Sequence, residues 1–488
     1  MLNIDRYHAT MGDASYKEVT RLREGLLSDA EATFYVTQRK LAFAPCLGHE
    51  RLVRSLLESR VDRPRLRFLE QDRGGLALFA RAVEDMSFTG TVRAVRPATI
   101  MFANEPFADI NGAFGLTQAQ EIKFEHAFDL PMTTAAIALQ LRMAAGTRWL
   151  SDFSLRRNGD IERAVEVATY AFIGGFNDTS NMEAAHRLDI PAVGTAAHYW
   201  QQAYIEFMDE PETEPRTGRP KHFEQVAFER WLDANPQGTT LLLDTIDVRM
   251  GAVHAAMAAT STEARRRAFK GFRIDSGDLA KLGKWCLEFF EANGLTGLMP
   301  VLTGDLDVET VQRIVSEFPE AAGFGVGTKL SGEVRRIAGV IFKQCLIEGR
   351  PTLKASSNTP EKSTLPGTLQ VFRGIDESGR YVGDVTGLDD EEIEIPGAVR
   401  TERLLVTFWE RGRYEAIPSI TKQKAFVEQQ VARFRDIENY PHTLSDRLRR
   451  LRDELTNRMR EDESGWQGVL KMPEALTGEL GAAASLVR

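Results

Sequence analysis

Residues 271–305 read GFRIDSGDLAKLGKWCLEFFEANGLTGLMPVLTGD. An apolar run, Gly271 to Ile274, stops at a cluster of Asp, Ser and Gly. A stretch with apolar residues at helical spacing follows, and a second apolar run then stops at Thr303, Gly304 and Asp305. Short apolar strands alternating with helices imply a parallel sheet buried on both faces. The same rhythm recurs in AFIGG (171–175), IPAVGT (190–195), TLLLDT (240–245) and AAGFGVGT (321–328). Six such units in a row predict a β/α barrel over an open sheet. In barrels the chemistry sits at the C-terminal ends of the strands, and here those ends carry the polar residues. One such end is ordinary turn punctuation. Six converging on one face are a candidate site.

The flanking segments follow another pattern. ERLVRSLLE (50–58) repeats its apolar residues at helical spacing, and GTVRAVRPATIMFANEP (90–106) reads as strands with turns between them. The expected division is an N-terminal α/β domain over 1–135, a barrel over 136–345, and a segment 346–488 that completes the N-terminal domain and adds a helical extension. The charged stretch RLRRLRDELTNRMRED (447–462) predicts a surface helix, and the tail LGAAASLVR a loosely ordered end. Residues 207–222, FMDEPETEPRTGRPKH, are polar and proline-rich and read as an exposed loop or lid.

The 488 residues carry 61 Lys and Arg against 70 Asp and Glu, a net charge of −9. No basic stripe interleaves with aromatics, so a nucleic-acid partner is not expected. No run of about 18 apolar residues exists and the start lacks a signal-peptide core, so a cytoplasmic protein without a membrane span is expected. Cys46, Cys286 and Cys345 are odd in number and widely spaced. They suit neither a disulfide framework nor a zinc site, and read as buried small hydrophobes.

Several strand ends offer chemistry. In GFRIDSGD, Asp275 and Asp278 bracket Ser276 and Gly277. Two carboxylates on one turn bind a diol or hold a magnesium ion through water. The same DSGD also fits an N-cap for the helix LAKLGKWCLEFF. GFGVGT (323–328) presents backbone N–H groups suited to a phosphate. DFSLRR (152–157) places Arg156 and Arg157, whose forks match carboxylates and phosphates, beside Phe153, a surface for a flat ring. NDTSN (177–181) adds neutral donors and acceptors, and KASSNTPEKSTLPG (354–367) puts Lys354 and Lys362 around small polar residues. His198, in GTAAH at the start of a helix, stands where the helix dipole favours an anion.

Taken in order, these stretches resemble the nicotinate phosphoribosyltransferase family: ATFYVTQRKLAF (32–43), FANEPF (102–107), DFSLRR, IGGFNDTSNMEAAHRLDIPAVGTAAH (173–198), LLLDTID (241–247), FRIDSGDLA, FGVGTKL, KASSNTPEKSTLPGTLQVFR (354–373) and YPHTLSDRLRRLRDEL (440–455). The resemblance implies a type II phosphoribosyltransferase fold: an N-terminal α/β domain on an irregular β/α barrel, in a homodimer with shared sites. It implies transfer of phosphoribosyl from phosphoribosyl pyrophosphate to nicotinate in NAD salvage, with Mg2+ and coupled ATP hydrolysis. His198 falls on the family's transiently phosphorylated histidine. Asp275 and Asp278 fall on ribose and pyrophosphate–magnesium contacts, with Ser276 between them on the same substrate turn. Gly304, Gly325, Gly327 and Thr328 fall on product-phosphate contacts. Phe153 falls on the ring platform, with Arg156 and Arg157 toward carboxylate or phosphate. Thr179 and Ser180 fall on the base pocket, and Lys354 and Lys362 on a phosphate-neutralising loop. Tyr7 resembles an N-terminal tyrosine that stacks on the base across the dimer. Ser154 stands where the family has glycine.

Two other readings are distinguishable. A nicotinamide-using relative places an aspartate near Thr179–Met182, where this chain has the neutral Ser180 beside two arginines. A carboxylate there would repel nicotinate in a desolvated pocket. Quinolinate, a diacid, would want a denser basic cluster. A non-catalytic nucleotide-binding barrel would lack charged strand-end residues, and Asp275, Asp278 and His198 are all present.

Overall fold

The computed structural model describes residues 3–22, 25–58, 61–72, 74–84, 88–206, 212–331, 338–356 and 362–460. Six parallel strands form a curled sheet. Their spatial order is Asp178–Thr179, Trp149–Asp152, Gly323–Val326, Met299–Thr303, Phe269–Ile274 and Thr239–Leu242. Neighbours in this order are joined by parallel ladders. The gap between its two edges is spanned by other means. Ala192 makes a single parallel bridge to Thr179. The short helix His198–Gln202 then docks on the opposite edge strand, where Gln201 Nε2 donates to Leu242 O at 3.0 Å. This is the irregular β/α barrel expected from the sequence.

Four of the six expected units are strands at the expected places. Two are not. AFIGG lies at the end of the helix Ile161–Ile173, because its apolar residues continue that helix's buried face of Ala164, Ala168 and Ala171. IPAVGT contributes only the Ala192 bridge; Pro191 has no N–H to give a ladder. The sheet is covered by helices, and its strand residues Phe272, Leu302 and Phe324 pack in one cluster with Phe290 and Phe318. Full burial of each such side chain contributes about 1.5–3 kcal/mol.

The second body is a seven-stranded antiparallel-paired sheet with order Arg350–Pro351, Val340–Ile347, Glu31–Gln38, Pro106–Ala113, Thr91–Ala94, Val406–Glu410, Arg413–Tyr414. Strands from both ends of the chain therefore build it, and a separate four-stranded sheet, Arg400–Arg403, Leu369–Ile375, Tyr381–Leu388 and His442–Leu444, comes from the C-terminal part alone. Position 135 lies inside the helix Glu121–Ala145, and position 345 inside the strand Val340–Ile347, so the chain does not divide at either. That helix joins the bodies: Phe124 and Phe128 pack in the antiparallel half, Ala138 and Leu141 in the barrel. Cys46, Cys286 and Cys345 are buried and free, as read from sequence. The helix Asp446–Arg460 matches the expected charged helix, and the tail lies outside the described residues. Among the described residues, no helix is long and apolar enough to cross a membrane.

The insertion differs from expectation. Residues 207–211 lie outside the described residues, but 212–222 form a pinned hairpin, with Thr213 bridged to Pro220. Glu214 is buried and accepts from Gln225 Nε2 at 2.6 Å, while Arg216 donates to Met257 O at 2.7 Å. This described part is anchored to the barrel helices rather than hanging free as a lid.

Candidate active site

Three adjoining strand ends share one arrangement. Each carries an earlier aspartate, at the cleft for Asp275 and Asp305 and buried beside it for Asp244, then a second aspartate that caps the following helix. Asp247 accepts from Arg249 N and Met250 N at 3.0 and 3.1 Å, Asp278 from Lys281 N at 3.3 Å, and Asp307 from Thr310 N at 2.8 Å. These satisfy first-turn N–H groups that no intrahelical carbonyl reaches. The earlier members, Asp244, Asp275 and Asp305, are left for chemistry. In DSGD the cap falls to Asp278, and Asp275 is left toward the cleft. Asp278 is exposed, caps the helix Leu279–Ala292 and does not line the cleft.

A cleft of about 190 Å3 opens at the strand ends between Phe153, Arg156, Arg157, Arg273, Asp275, Thr303, Gly304, Asp305, Gly325, Gly327 and Thr328. Three arginines against two aspartates leave a formal charge of 3 − 2 = +1, which suits an anion. Arg273 organises the cleft. Its Nε donates to Thr303 Oγ1 at 3.0 Å and a terminal nitrogen donates to Thr195 Oγ1 at 2.9 Å. Its other terminal nitrogen stands 3.3 Å from Asp275 Oδ1, and its guanidinium lies 5.8 Å from the Phe153 ring centroid. Thr303 Oγ1 also bonds Asp275. Asp275 is therefore held from two sides, with 30% of its side chain still open to solvent.

Two glycines are demanded by geometry. Gly304 has φ +99°, and a Cβ there would sit 2.2 Å from the carbonyl oxygen of Asp275. At Gly325 a Cβ would meet the Phe153 ring at 2.5 Å. Both let backbone approach where a side chain would block the cleft floor.

His198 lies beside the cleft rather than in it. Its Nδ1 is 3.2 Å from Thr245 Oγ1 and its Nε2 is 3.8 Å from Asp244 Oδ1. The Asp244 carboxylate is almost fully buried. Its Oδ2 accepts from Ser276 Oγ at 2.6 Å and from Asp275 N at 3.3 Å, while Oδ1 has no hydrogen-bond partner. One side chain thus connects the histidine to the Asp275 turn.

The Phe153 turn has its own support. Asp152 is buried and accepts from Ser154 N and from Thr179 Oγ1, both at 2.8 Å. Burial pushes its carboxyl up, and those two hydrogen bonds pull it back down in part.

The sequence profile of the nicotinate phosphoribosyltransferase (NAPRTase) family matches residues 149–364, the stretch that contains every strand of the parallel sheet. The barrel thus carries the sequence pattern of the nicotinate phosphoribosyltransferase family. Curated relatives of that name match beyond the barrel. One from Bacillus subtilis is 27% identical over 83% of this chain and 80% of its own length. A second, pncB2 of Mycobacterium tuberculosis, is 28% identical over 91% of each chain. The solved human nicotinic acid phosphoribosyltransferase has the same fold, with TM-score 0.72, 22% identity, and coverage of 92% of this chain and 99% of that one. A nicotinate-nucleotide pyrophosphorylase from Pyrococcus furiosus also shares the fold, with TM-score 0.66, 20% identity, and coverage of 88% and 94%.

Of the residues singled out by the family resemblance, Phe153, Arg156, Arg157, Asp275, Gly304, Gly325, Gly327 and Thr328 all line the cleft. Ser276 is exposed and bonded to Asp244. Thr179 is buried with its hydroxyl spent on Asp152, so it supports the pocket rather than lining it; Ser180 is half-buried and donates its N–H to Asp152 O. Lys354 and Lys362 are exposed and do not line this cleft. Their neighbour Ser363 lines a different cavity, of about 310 Å3, on the antiparallel half. Tyr7 is 47% exposed on the helix Arg6–Ser15, its hydroxyl donating to Glu121 at 2.9 Å, away from its own chain's cleft. Ser154 has φ −86° and ψ −11°, an ordinary right-handed conformation, so serine is accepted where the family has glycine.

Sequence reasoning missed Asp244, Arg273, Thr303 and Asp305. The signal for Asp244 was available: it stands three residues before a capping aspartate, as Asp275 does.

Proposed function

We propose that this chain is a nicotinate phosphoribosyltransferase, joining nicotinate to 5-phosphoribosyl 1-pyrophosphate to give nicotinate mononucleotide and pyrophosphate in NAD salvage. The observation that carries this reading is the cleft itself, where one aromatic face, three guanidinium groups and a fixed carboxylate meet at the ends of four parallel strands. Phe153 offers its ring to the pyridine, and Arg156 or Arg157 pairs the nicotinate carboxylate. The pyridine nitrogen lone pair attacks ribose C1 as the C1–O bond to pyrophosphate breaks. Asp275 holds the ribose hydroxyls and faces the positive charge that develops on the ring. Backbone N–H groups around Gly304, Gly325, Gly327 and Thr328 receive the 5-phosphate.

Magnesium fits this cleft. Asp275 and Asp305 are hard oxygen donors at its wall, and Mg2+ takes one or two carboxylates while keeping several waters. Asp278, engaged as a helix cap, is not needed. When bound, Mg2+ neutralises the leaving pyrophosphate.

ATP acts through His198. The γ-phosphoryl group passes to an imidazole nitrogen as ADP leaves, and water later releases phosphate. The partly exposed ring is reachable, and Asp244 stabilises the imidazolium that phosphorylation leaves. The enzyme acts as a cytoplasmic homodimer. In it the exposed Tyr7 reaches the cleft of a second copy.

The test supplies phosphoribosyl pyrophosphate, Mg2+ and ATP with nicotinate, nicotinamide or quinolinate, and measures each mononucleotide and pyrophosphate. Product from nicotinate is expected. Product from nicotinamide alone, or none from any base, would overturn the assignment. His198→Asn is expected to abolish acid-labile incorporation from γ-labelled ATP while leaving slow base transfer. Undiminished label in that variant would remove the phosphohistidine.

A further inference from the structure

We propose that His222, Glu224 and His254 form a binding site for a divalent transition metal of the zinc class, on the outer helices of the barrel and separate from the cleft. Among the described residues this is the one place where three His, Cys, Asp or Glu donor atoms converge, all within 4.8 Å of one another. The Glu224 side chain is fully buried. Its Oε2 lies 2.8 Å from His254 Nδ1 and 3.9 Å from His222 Nδ1. Tetrahedral zinc with bonds of about 2.0–2.1 Å places its ligand atoms roughly 3.3 Å apart, between those two distances. The imidazole rings stack face to face, 4.1 Å between centroids and 11° between planes, so the two donors are adjacent and one ring turns to bring both lone pairs onto a single ion.

A second observation points to a ligand. Glu224 Oε1 is buried with no hydrogen-bond partner. Leaving such an oxygen unpaired is costly, more so on a carboxylate. The neighbouring buried carboxylates are not in this position. Glu214 is paired with Arg216 at 2.6 Å, and Glu229 with Lys221 at 2.8 Å and Arg265 at 3.0 Å. Glu224 has the two histidines instead. His222 Nδ1 accepts from Glu224 N at 3.3 Å, a helix-cap bond that an ion bound at Nδ1 would replace. Two imidazoles and a carboxylate are a zinc donor set, whereas Mg2+ and Ca2+ prefer oxygen alone. The half-open His222 leaves the fourth position to water.

The ion would act as a clamp. His222 ends the 212–222 hairpin and caps the helix Phe223–Ala234, and His254 lies on the helix Val248–Ala259. The first of these helices also carries the His198 element: Trp200 Nε1 donates to Ala227 O at 3.0 Å, and the Trp200 and Trp231 rings meet edge to face at 5.1 Å. One ion thus ties the hairpin, two barrel helices and the support of His198 together.

The experiment takes the full chain, stripped with a chelator and dialysed, and titrates Zn2+ calorimetrically in excess Mg2+, with retained metal measured by atomic emission. One zinc per chain and a raised melting temperature are expected. His254→Ala and His222→Ala should each weaken zinc binding by at least about tenfold, and Asp275→Asn should leave it intact. No stoichiometric zinc in the parent overturns the site, as do histidine variants that bind like the parent. Should His254→Ala fail to fold, the half-exposed His222→Ala gives the same reading.

Discussion

Asp275 and Asp278 stand on one turn, and their variants should separate into two different losses. Asp275 faces the cleft, where the transferred ribosyl group becomes cation-like. Opposite unit charges at about 4 Å, with an effective dielectric near 20, interact by roughly 4 kcal/mol. With 30% of the Asp275 side chain open to solvent, screening reduces that to about 2–3 kcal/mol. Asp275→Asn keeps the side-chain shape and removes the charge, so kcat/KM should fall roughly 30- to 150-fold. Its unfolding midpoint should move little. Asp278→Ala removes a helix N-cap, which costs about 1 kcal/mol of stability, and should leave kcat/KM per folded molecule within about twofold. The assays are nicotinate mononucleotide formation at steady state and urea unfolding of each variant. The reasoning is refuted if Asp278→Ala loses turnover with an unchanged melt while Asp275→Asn stays active.

Gly304→Ala should be worse for activity than its size suggests. Its φ of +99° and the 2.2 Å approach to Asp275 O force the Asp275 turn to shift. Backbone strain of about 1–3 kcal/mol should appear in the melt and at least tenfold in turnover; a stable, fully active variant contradicts the close approach. His49 sets a pH dependence: it is buried, Nε2 donates to Val95 O at 2.8 Å, and burial pushes its pKa from 6.5 down to about 4. The unfolded chain takes up that proton near 6.5 and the folded chain only near 4, so this contribution is intact above about pH 6.5 and is lost as pH falls toward about 4. Between about pH 6.5 and about pH 5 the loss should approach 2 kcal/mol in urea melts, and His49→Gln should flatten that slope. Equal slopes in parent and variant would remove His49 as the cause.

The barrel strands were legible where a short apolar run stood alone between polar ends, as in TLLLDT and MPVLTGD. AFIGG misled because a short apolar run looks the same at the end of a helix; only the preceding periodicity of IERAVEVATY separates the two cases. The antiparallel half was harder. Two of its pairings join Ala32 to Ile347 and Val92 to Trp409, contacts more than three hundred residues apart that no local pattern encodes. The hairpin at 212–222 read as loose because its composition is polar and proline-rich. It is instead fixed by Glu214 and Arg216, whose partners, Gln225 and Met257, lie on helices outside the segment.

At the site, residue type was legible and assignment was not. A carboxylate at the end of a parallel strand is equally suited to cap the next helix or to face a ligand, and aspartate is the preferred residue for the first task. Position along the turn decides between them. Asp247, Asp278 and Asp307 each come immediately before the first helical residue, where the side chain reaches back to free N–H groups. Asp244, Asp275 and Asp305 come earlier, while the chain is still leaving the sheet. Asp275 and Asp305 accordingly line the cleft. Asp244 occupies the corresponding place one strand over and is buried beneath Ser276. Its second oxygen, unpartnered and 3.8 Å from His198, makes it the shortest structural connection between the histidine and the ribose-facing turn. The spacing that reveals capping thus also reveals, by subtraction, which carboxylates are free for chemistry.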